Sequence, residues 1–252
     1  GMGGRGGRQQ RMKPADFKDS DVLMFNDQNW TLETKNTKTI ILVAFYDPKD
    51  QKMARAAEGY KELASSMKGY AKIAAVDCQK SKQLCRTHAS AGKSSRAMKI
   101  KLYGYRSHNK PVTYTGKLSK KALYNFVQSN IPSFVSVLKT KGDVDKFVKQ
   151  QSPLKIILLS DKSKLPLLFK VLSKDFNKHL VFGMVSSSSH SAIRRIQDAG
   201  IKISTESSLP GVFIYQTSIS KTRRYPGKLS HDELHKYMNA LVRKLNRAKT
   251  EL

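Results

Sequence analysis

The stretch Ile40-Ile41-Leu42-Val43-Ala44-Phe45-Tyr46-Asp47-Pro48-Lys49-Asp50-Gln51-Lys52-Met53, continuing to Tyr60-Lys61-Glu62-Leu63-Ala64, reads as a strand that runs into a helix. An apolar run without polar alternation is the pattern of a strand covered on both faces, here over 39 to 46. Asp47-Pro48 interrupts it, and a helix is expected over 50 to 67.

Outward from this unit the alternation continues, with strands expected at 22 to 25, 72 to 77 and 99 to 104, and helices over 30 to 34 and near 119 to 129. After Ile131-Pro132 the order starts again, with a strand from Val135 to Lys139, a helix from Asp143 to Lys149 and a central strand Lys155-Ile156-Ile157-Leu158-Leu159. A motif marks the repeat. Tyr114-Thr115-Gly116-Lys117-Leu118-Ser119, followed by Leu123 and Phe126-Val127, returns 111 residues later as Tyr225-Pro226-Gly227-Lys228-Leu229-Ser230, followed by Leu234 and Tyr237-Met238. In each copy the glycine is expected to allow a tight turn, the serine to N-cap the closing helix, and the leucine to face the sheet. The fold class is therefore α/β: two tandem domains, each a central mixed sheet flanked by helices. The expected boundaries are a flexible Gly/Arg-rich arm or linker over 1–20, a first domain over 21–132 and a second over 133–252. The arm has no apolar periodicity over its first 13 residues and cannot bury enough surface to offset the entropy of ordering.

Phe45-Tyr46-Asp47-Pro48-Lys49 through Leu63-Ala64 resembles, without a gap, the protein disulfide isomerase pattern of Phe-Tyr-Ala-Pro-Trp-Cys-Gly-His-Cys continuing to Tyr-Glu-Lys-Leu-Ala. The resemblance implies two tandem thioredoxin-like domains. It also places Asp50, Gln51, Lys52 and Met53 where active members carry Cys-Gly-His-Cys, Ala44 where they place a buried proton-moving Glu, and Met98 where they have a cis-proline. Thiol-disulfide exchange needs a low-pKa thiolate and a second, resolving sulfur, and neither Asp50 nor Met53 supplies one. No catalytic residue and no enzyme activity are expected. In the second copy Lys164-Leu165-Pro166-Leu167 occupy the motif positions, and Leu209-Pro210-Gly211-Val212-Phe213-Ile214-Tyr215 matches the family's cis-proline strand, which makes Pro210 the candidate for a cis bond.

The two cysteines, Cys78 and Cys85, stand in Val76-Asp77-Cys78-Gln79-Lys80-Ser81-Lys82-Gln83-Leu84-Cys85. The segment resembles one in which disulfide isomerase domains form a non-catalytic bridge, and a structural disulfide is the reading it implies; free thiols, a regulatory pair, or a weak thiol-disulfide oxidoreductase using Cys78 and Cys85 are the alternatives. Two thiolates alone do not make a metal site, Ala91-Gly92-Lys93-Ser94 lacks the first glycine of a phosphate loop, and the histidines show no motif spacing beyond His231 and His235 and are expected at the surface. No cofactor or metal is expected. A binding role needs exposed apolar residues, and the candidates are Met53 and Met98 in the first domain and Leu165, Leu167 and Leu168 in the second.

The formal charge of +28, from 47 Lys+Arg against 19 Asp+Glu, raises a basic nucleic-acid-binding protein as another alternative. The charge is spread along the chain without a block of like charges or an RNA-reading aromatic motif, so no nucleic-acid partner is expected. No apolar run reaches the roughly 20 residues of a membrane span. Lys249-Thr250-Glu251-Leu252 resembles the Lys-Asp-Glu-Leu retention signal and, with the bridge and the family resemblance, points to the endoplasmic reticulum lumen. Asn29-Trp30-Thr31 is a formal glycosylation sequon. The Gly-rich start is similar to the linker that follows a J domain in Hsp70 co-chaperones. The resemblances together imply a redox-inactive scaffold or binding module of a chaperone or co-chaperone, with unfolded or partly folded proteins as clients and an Hsp70 as partner through a J domain outside this chain.

Overall fold

The computed structural model describes residues 12–35, 39–89, 98–104, 110–206 and 208–250, with side chains through 247. Two compact units meet between Asn130 and Ile131. The first contains β1 (Leu23–Phe25), α1 (Trp30–Thr34), β2 (Ile41–Tyr46), α2 (Gln51–Met67), β3 (Lys72–Asp77), α3 (Lys82–Ala89), β4 (Lys99–Tyr103), β5 (Val112–Tyr114) and α4 (Lys120–Asn130). Its sheet order is β1-β3-β2-β4-β5, parallel from β1 to β2 and antiparallel from β2 to β5. All six residues of β2 are buried, as a strand between two helical layers requires. On the inner face of α2 lies Tyr60, wholly enclosed, whose hydroxyl donates to the Ala74 carbonyl oxygen at 2.8 Å. Burial drives its pKa far up, so it stays a neutral donor.

The second unit runs β6 (Val135–Val137), α5 (Lys141–Lys149), β7 (Leu154–Ser160), α6 (Leu167–Phe176), β8 (Val181–Ser186), α7 (His190–Asp198), β9 (Gly211–Gln216), β10 (Lys221–Arg224) and α8 (His231–Thr250). Read from its first strand, the sheet order is β6-β8-β7-β9-β10, the same as in the first unit. Two mixed five-stranded sheets flanked by helices are thus two thioredoxin-like folds in tandem.

The repeated motif has a steric cause that differs from the expected turn. Neither Gly116 nor Gly227 has a positive φ. Instead the ring of the tyrosine two residues earlier folds over each one: an added Cβ would lie 2.5 Å from the Tyr114 hydroxyl and 2.4 Å from the Tyr225 hydroxyl. Tyr114 donates to the Lys117 carbonyl at 2.7 Å, closing the loop that delivers Ser119 to the start of α4, where its hydroxyl accepts from the Ala122 N–H. Leu123 and Leu234 are buried on the sheet.

Two further features depart from the sequence expectations, and a third goes beyond them. Within the span expected as an arm, Ala15 and Phe17 are buried, and Phe17 packs edge-on against Tyr46 at 5.4 Å. His88 is not a simple surface residue: its ring lies 4.5 Å from that of Trp30, and burial together with the nearby Lys101 charge holds its pKa below the usual imidazole value. Lys155, read as part of a central strand, is 1% exposed, donates to the Gln150 carbonyl and sits 5.8 Å above the Phe147 ring.

Desolvation lowers the Lys155 pKa. Between that depressed value and the ordinary lysine value near 10.4, the unfolded chain holds a proton that the folded chain has released, so stability rises as pH rises through the window. Lys155→Met is expected to stabilise the second domain by about 1 kcal/mol or more and to remove this slope, because it exchanges a buried amine for an apolar side chain of similar length. Urea unfolding at several pH values checks both effects.

Candidate functional site: two strand-to-helix corners

In each domain the central strand delivers the chain to the N-terminus of a long helix, the corner at which the motif positions fall. In the first domain the Asp50 N–H donates to the Asp47 carbonyl at 2.8 Å, and the Asp50 carboxylate accepts from the Lys52 N–H at 2.8 Å. Asp50 is therefore the N-cap of α2, a role that suits a carboxylate at the positive end of a helix. Gln51 and Lys52 point to solvent, and Met53, at 0% exposure, turns into the core. Asp47 in turn accepts from the Gln79 side chain at 2.9 Å. Behind the cap, Tyr46 has its pKa pushed up to about 12, first by burial and then by the carboxylates of Asp77 and Asp16. Ala44 is fully buried in β2 between Ala75 and Ile100, and Met98 stands half-buried just before β4.

In the second domain Pro166 is the N-cap of α6 at φ −66°, with its carbonyl accepting from Phe169 and Lys170. The Leu209–Pro210 bond is cis and places Pro210 directly ahead of β9. The Arg224 guanidinium fixes this approach by donating to the Ser208 carbonyl and, at 3.1 Å, to its hydroxyl. Between these pieces lies a cleft of about 330 Å³, with Leu158, Phe169 and Val212 at its floor and Pro166, Leu168, Leu209, Pro210 and Leu229 around them. Asp161 and Lys162 supply its charged edge.

Of the binding candidates, Leu165 and Leu168 are half-buried near or on this cleft, whereas Leu167 is buried against the core and Met53 is enclosed beneath α2. Met53 and Leu167 are thus core residues and not contact residues. The helix period accounts for this, since the first inward position of each helix falls on them. Leu229 was missed from sequence; it belongs to the repeated loop motif and lines the cleft together with Leu168.

Cys78 and Cys85 form a disulfide, with Cα atoms 5.6 Å apart, that joins the end of β3 to α3 and packs beside Trp30. No free cysteine remains, so neither corner holds a thiol. The Asn29 side chain of the sequon donates to the Met24 carbonyl at 3.1 Å and accepts from the Asn26 N–H at 2.8 Å. The Ala91 to Ser94 segment and the terminal Glu251-Leu252, with the side chains of Lys249 and Thr250, lie outside the described residues. Among the described residues no group of histidine, cysteine and carboxylate side chains is placed to hold a metal, and no helix is long and apolar enough to cross a membrane.

Fold and site together define a pair of thioredoxin-like domains in which an aspartate caps α2 and a proline stands at the N-cap of α6. No family model matches the chain. Its homologues are thioredoxin-domain and disulfide-isomerase-like proteins. It is 23% identical over 230 residues to a Dictyostelium discoideum protein provisionally named a protein disulfide-isomerase, covering 89% of this chain and 53% of that one. It is 27% identical over 235 residues to a mitochondrial thioredoxin domain-containing protein of Schizosaccharomyces pombe, covering 88% and 62%. A rice DnaJ protein, ERDJ3A, is 24% identical over 189 residues, covering 72% and 31%. Among solved structures, ERdj5 form I superposes with a TM-score of 0.53 at 17% identity, covering 91% of this chain and 31% of that one. The chain thus spans about half to two thirds of the length of the first two relatives.

Proposed function

We propose that this chain is a redox-silent, disulfide-isomerase-like binding module of a folding chaperone or co-chaperone. The apolar cleft beside Pro210 carries the reading. It keeps the corner at which active relatives meet substrates but offers leucines and prolines in place of cysteines, a surface that can hold an unfolded segment without oxidising it. A DnaJ protein among the relatives supports an Hsp70 as a partner of the fuller protein.

A permanently unfolded, carboxymethylated probe protein should bind the intact chain, and Leu168→Lys and Leu229→Lys should each weaken that binding about tenfold or more. Leu32→Lys, at a residue 80% exposed in the first domain, should change nothing. Insulin reduction by the unsubstituted chain should stay at the background rate. Absence of probe binding, or equal binding by all three variants, would sink the reading.

The endoplasmic reticulum lumen is the proposed compartment, supported by the Cys78–Cys85 bond, which suits an oxidising environment, and by the Lys249 to Leu252 tail. The mitochondrial name of the S. pombe relative favours a second compartment. Imaging the full-length protein with and without its last four residues separates the two.

A further inference from the structure

The two domains cover the corresponding face of their sheets very differently. In the second domain this layer is α5 and α7, nine residues each, which bury Val144, Phe147, Ala192, Ile193 and Ile196. In the first it is α1, five residues, and α3, eight residues, and α3 buries only Leu84 and Cys85. An isolated helix of that length is unstable in water and depends on what holds it down. Among the described residues it is held by the Leu84 and Ala89 side chains, the Leu84 N–H donating to the Asp27 carboxylate at 3.0 Å, the His88 ring on Trp30, and the Cys78–Cys85 bond. Beneath them Trp30 contacts Phe25, Phe45 and Tyr103. The Tyr103 hydroxyl is buried there without a hydrogen-bond partner among the described residues.

We propose that the Cys78–Cys85 bond is a redox latch on the first domain, whose opening by a dithiol loosens α3 and uncovers the aromatic face under it. Cys78 is half-buried and Cys85 is 8% exposed, so attack falls on the Cys78 sulfur. One thiolate of the dithiol forms a mixed disulfide with Cys78 and releases Cys85 as a thiolate, which takes up a proton. The second thiolate of the reagent then displaces Cys78. Two electrons pass from the dithiol, which leaves as a cyclic disulfide, to the protein, which gains two thiols. The latch is separate from the cleft of the second domain and does not depend on its role.

Trp30 is the single tryptophan of the chain and sits under the latch, so the intact protein reports on its own state. Dithiothreitol under native conditions, with alkylation and intact mass to confirm two open thiols, should red-shift the tryptophan emission. Amide exchange over residues 82–89 should speed up about tenfold or more. Exchange over β9 should stay unchanged, and reoxidation should restore the starting spectrum. Unaltered emission and exchange with both thiols alkylated would overturn the proposal, as would loss of protection in both domains together or a bond that dithiothreitol leaves closed. The Cys78→Ser/Cys85→Ser protein should match the reduced state in both readouts; a match to the oxidised state would equally overturn it.

Discussion

Replacing Asp50 and Met53 together by cysteine is expected to turn a chain with background insulin reduction into one with clear turnover. The N-cap position already directs the Lys52 N–H at a side-chain oxygen 2.8 Å away, and a thiolate placed there meets the same donor and the same positive helix end. Both lower a thiol pKa toward the reactive range. Position 53 lies three residues on and faces inward, so the resolving thiol is shielded, and residues three apart at a helix start are within the span that a disulfide bridges. The variant should remain about 10²-fold or more below an active homologue, because Ala44 supplies no group to move protons. Adding Ala44→Glu should recover part of that gap and lower stability, since the carboxyl enters a fully buried strand position. Turnover by the unsubstituted chain would refute the redox-silent reading. A double-cysteine variant that folds but shows no turnover would mean that the frame retained around residue 50 is not a catalytic one.

The same corner shows what the sequence carried and what it did not. The strand and helix around Asp50 were legible because their signals are local: an unbroken apolar run, a Pro stop and a capping residue. The duplication was legible because the Tyr-x-Gly-Lys-Leu-Ser motif is a contact between near neighbours, a ring closing over a glycine two residues away, and so leaves a fixed spacing in the chain. Residues whose roles are set by distant partners were not legible. Phe17 stands in a polar stretch, and only the fold brings Tyr46 of β2 and Tyr60 of α2 to it. His88 looks like a helix surface residue until α1 places Trp30 beneath it. Met53 and Leu167 show the limit from the other side. Their residue types suit a binding surface, but side-chain direction at a helix start depends on where the cap falls, and a shift of one residue moves a position between the core and solvent.

Phe147→Ala in the second domain is expected to cost about 3–5 kcal/mol, the range for truncating a fully enclosed aromatic ring. The ring of Phe147 fills a space that exists because residue 183 in β8 has no side chain. A Cβ added there would lie 2.8 Å from Phe147 Cε2 and 3.2 Å from Leu138 Cδ1. Gly183→Ala alone should therefore cost about 1–3 kcal/mol through overpacking. The two changes should not add. With the ring gone, the new methyl occupies part of the cavity instead of colliding with it, so the double variant should be more stable than the sum of the single losses predicts, by about 1 kcal/mol. Lys155 sharpens the test, since its amine lies over the same ring. Truncation leaves this buried cation with the Gln150 carbonyl but without the aromatic face, so part of the Phe147→Ala cost should vanish in a Lys155→Met background. Urea unfolding of the single and combined variants measures both couplings. Additive losses would show that helix α5 shifts to relieve the contact at Gly183, and that the ring and the glycine are not one packing unit.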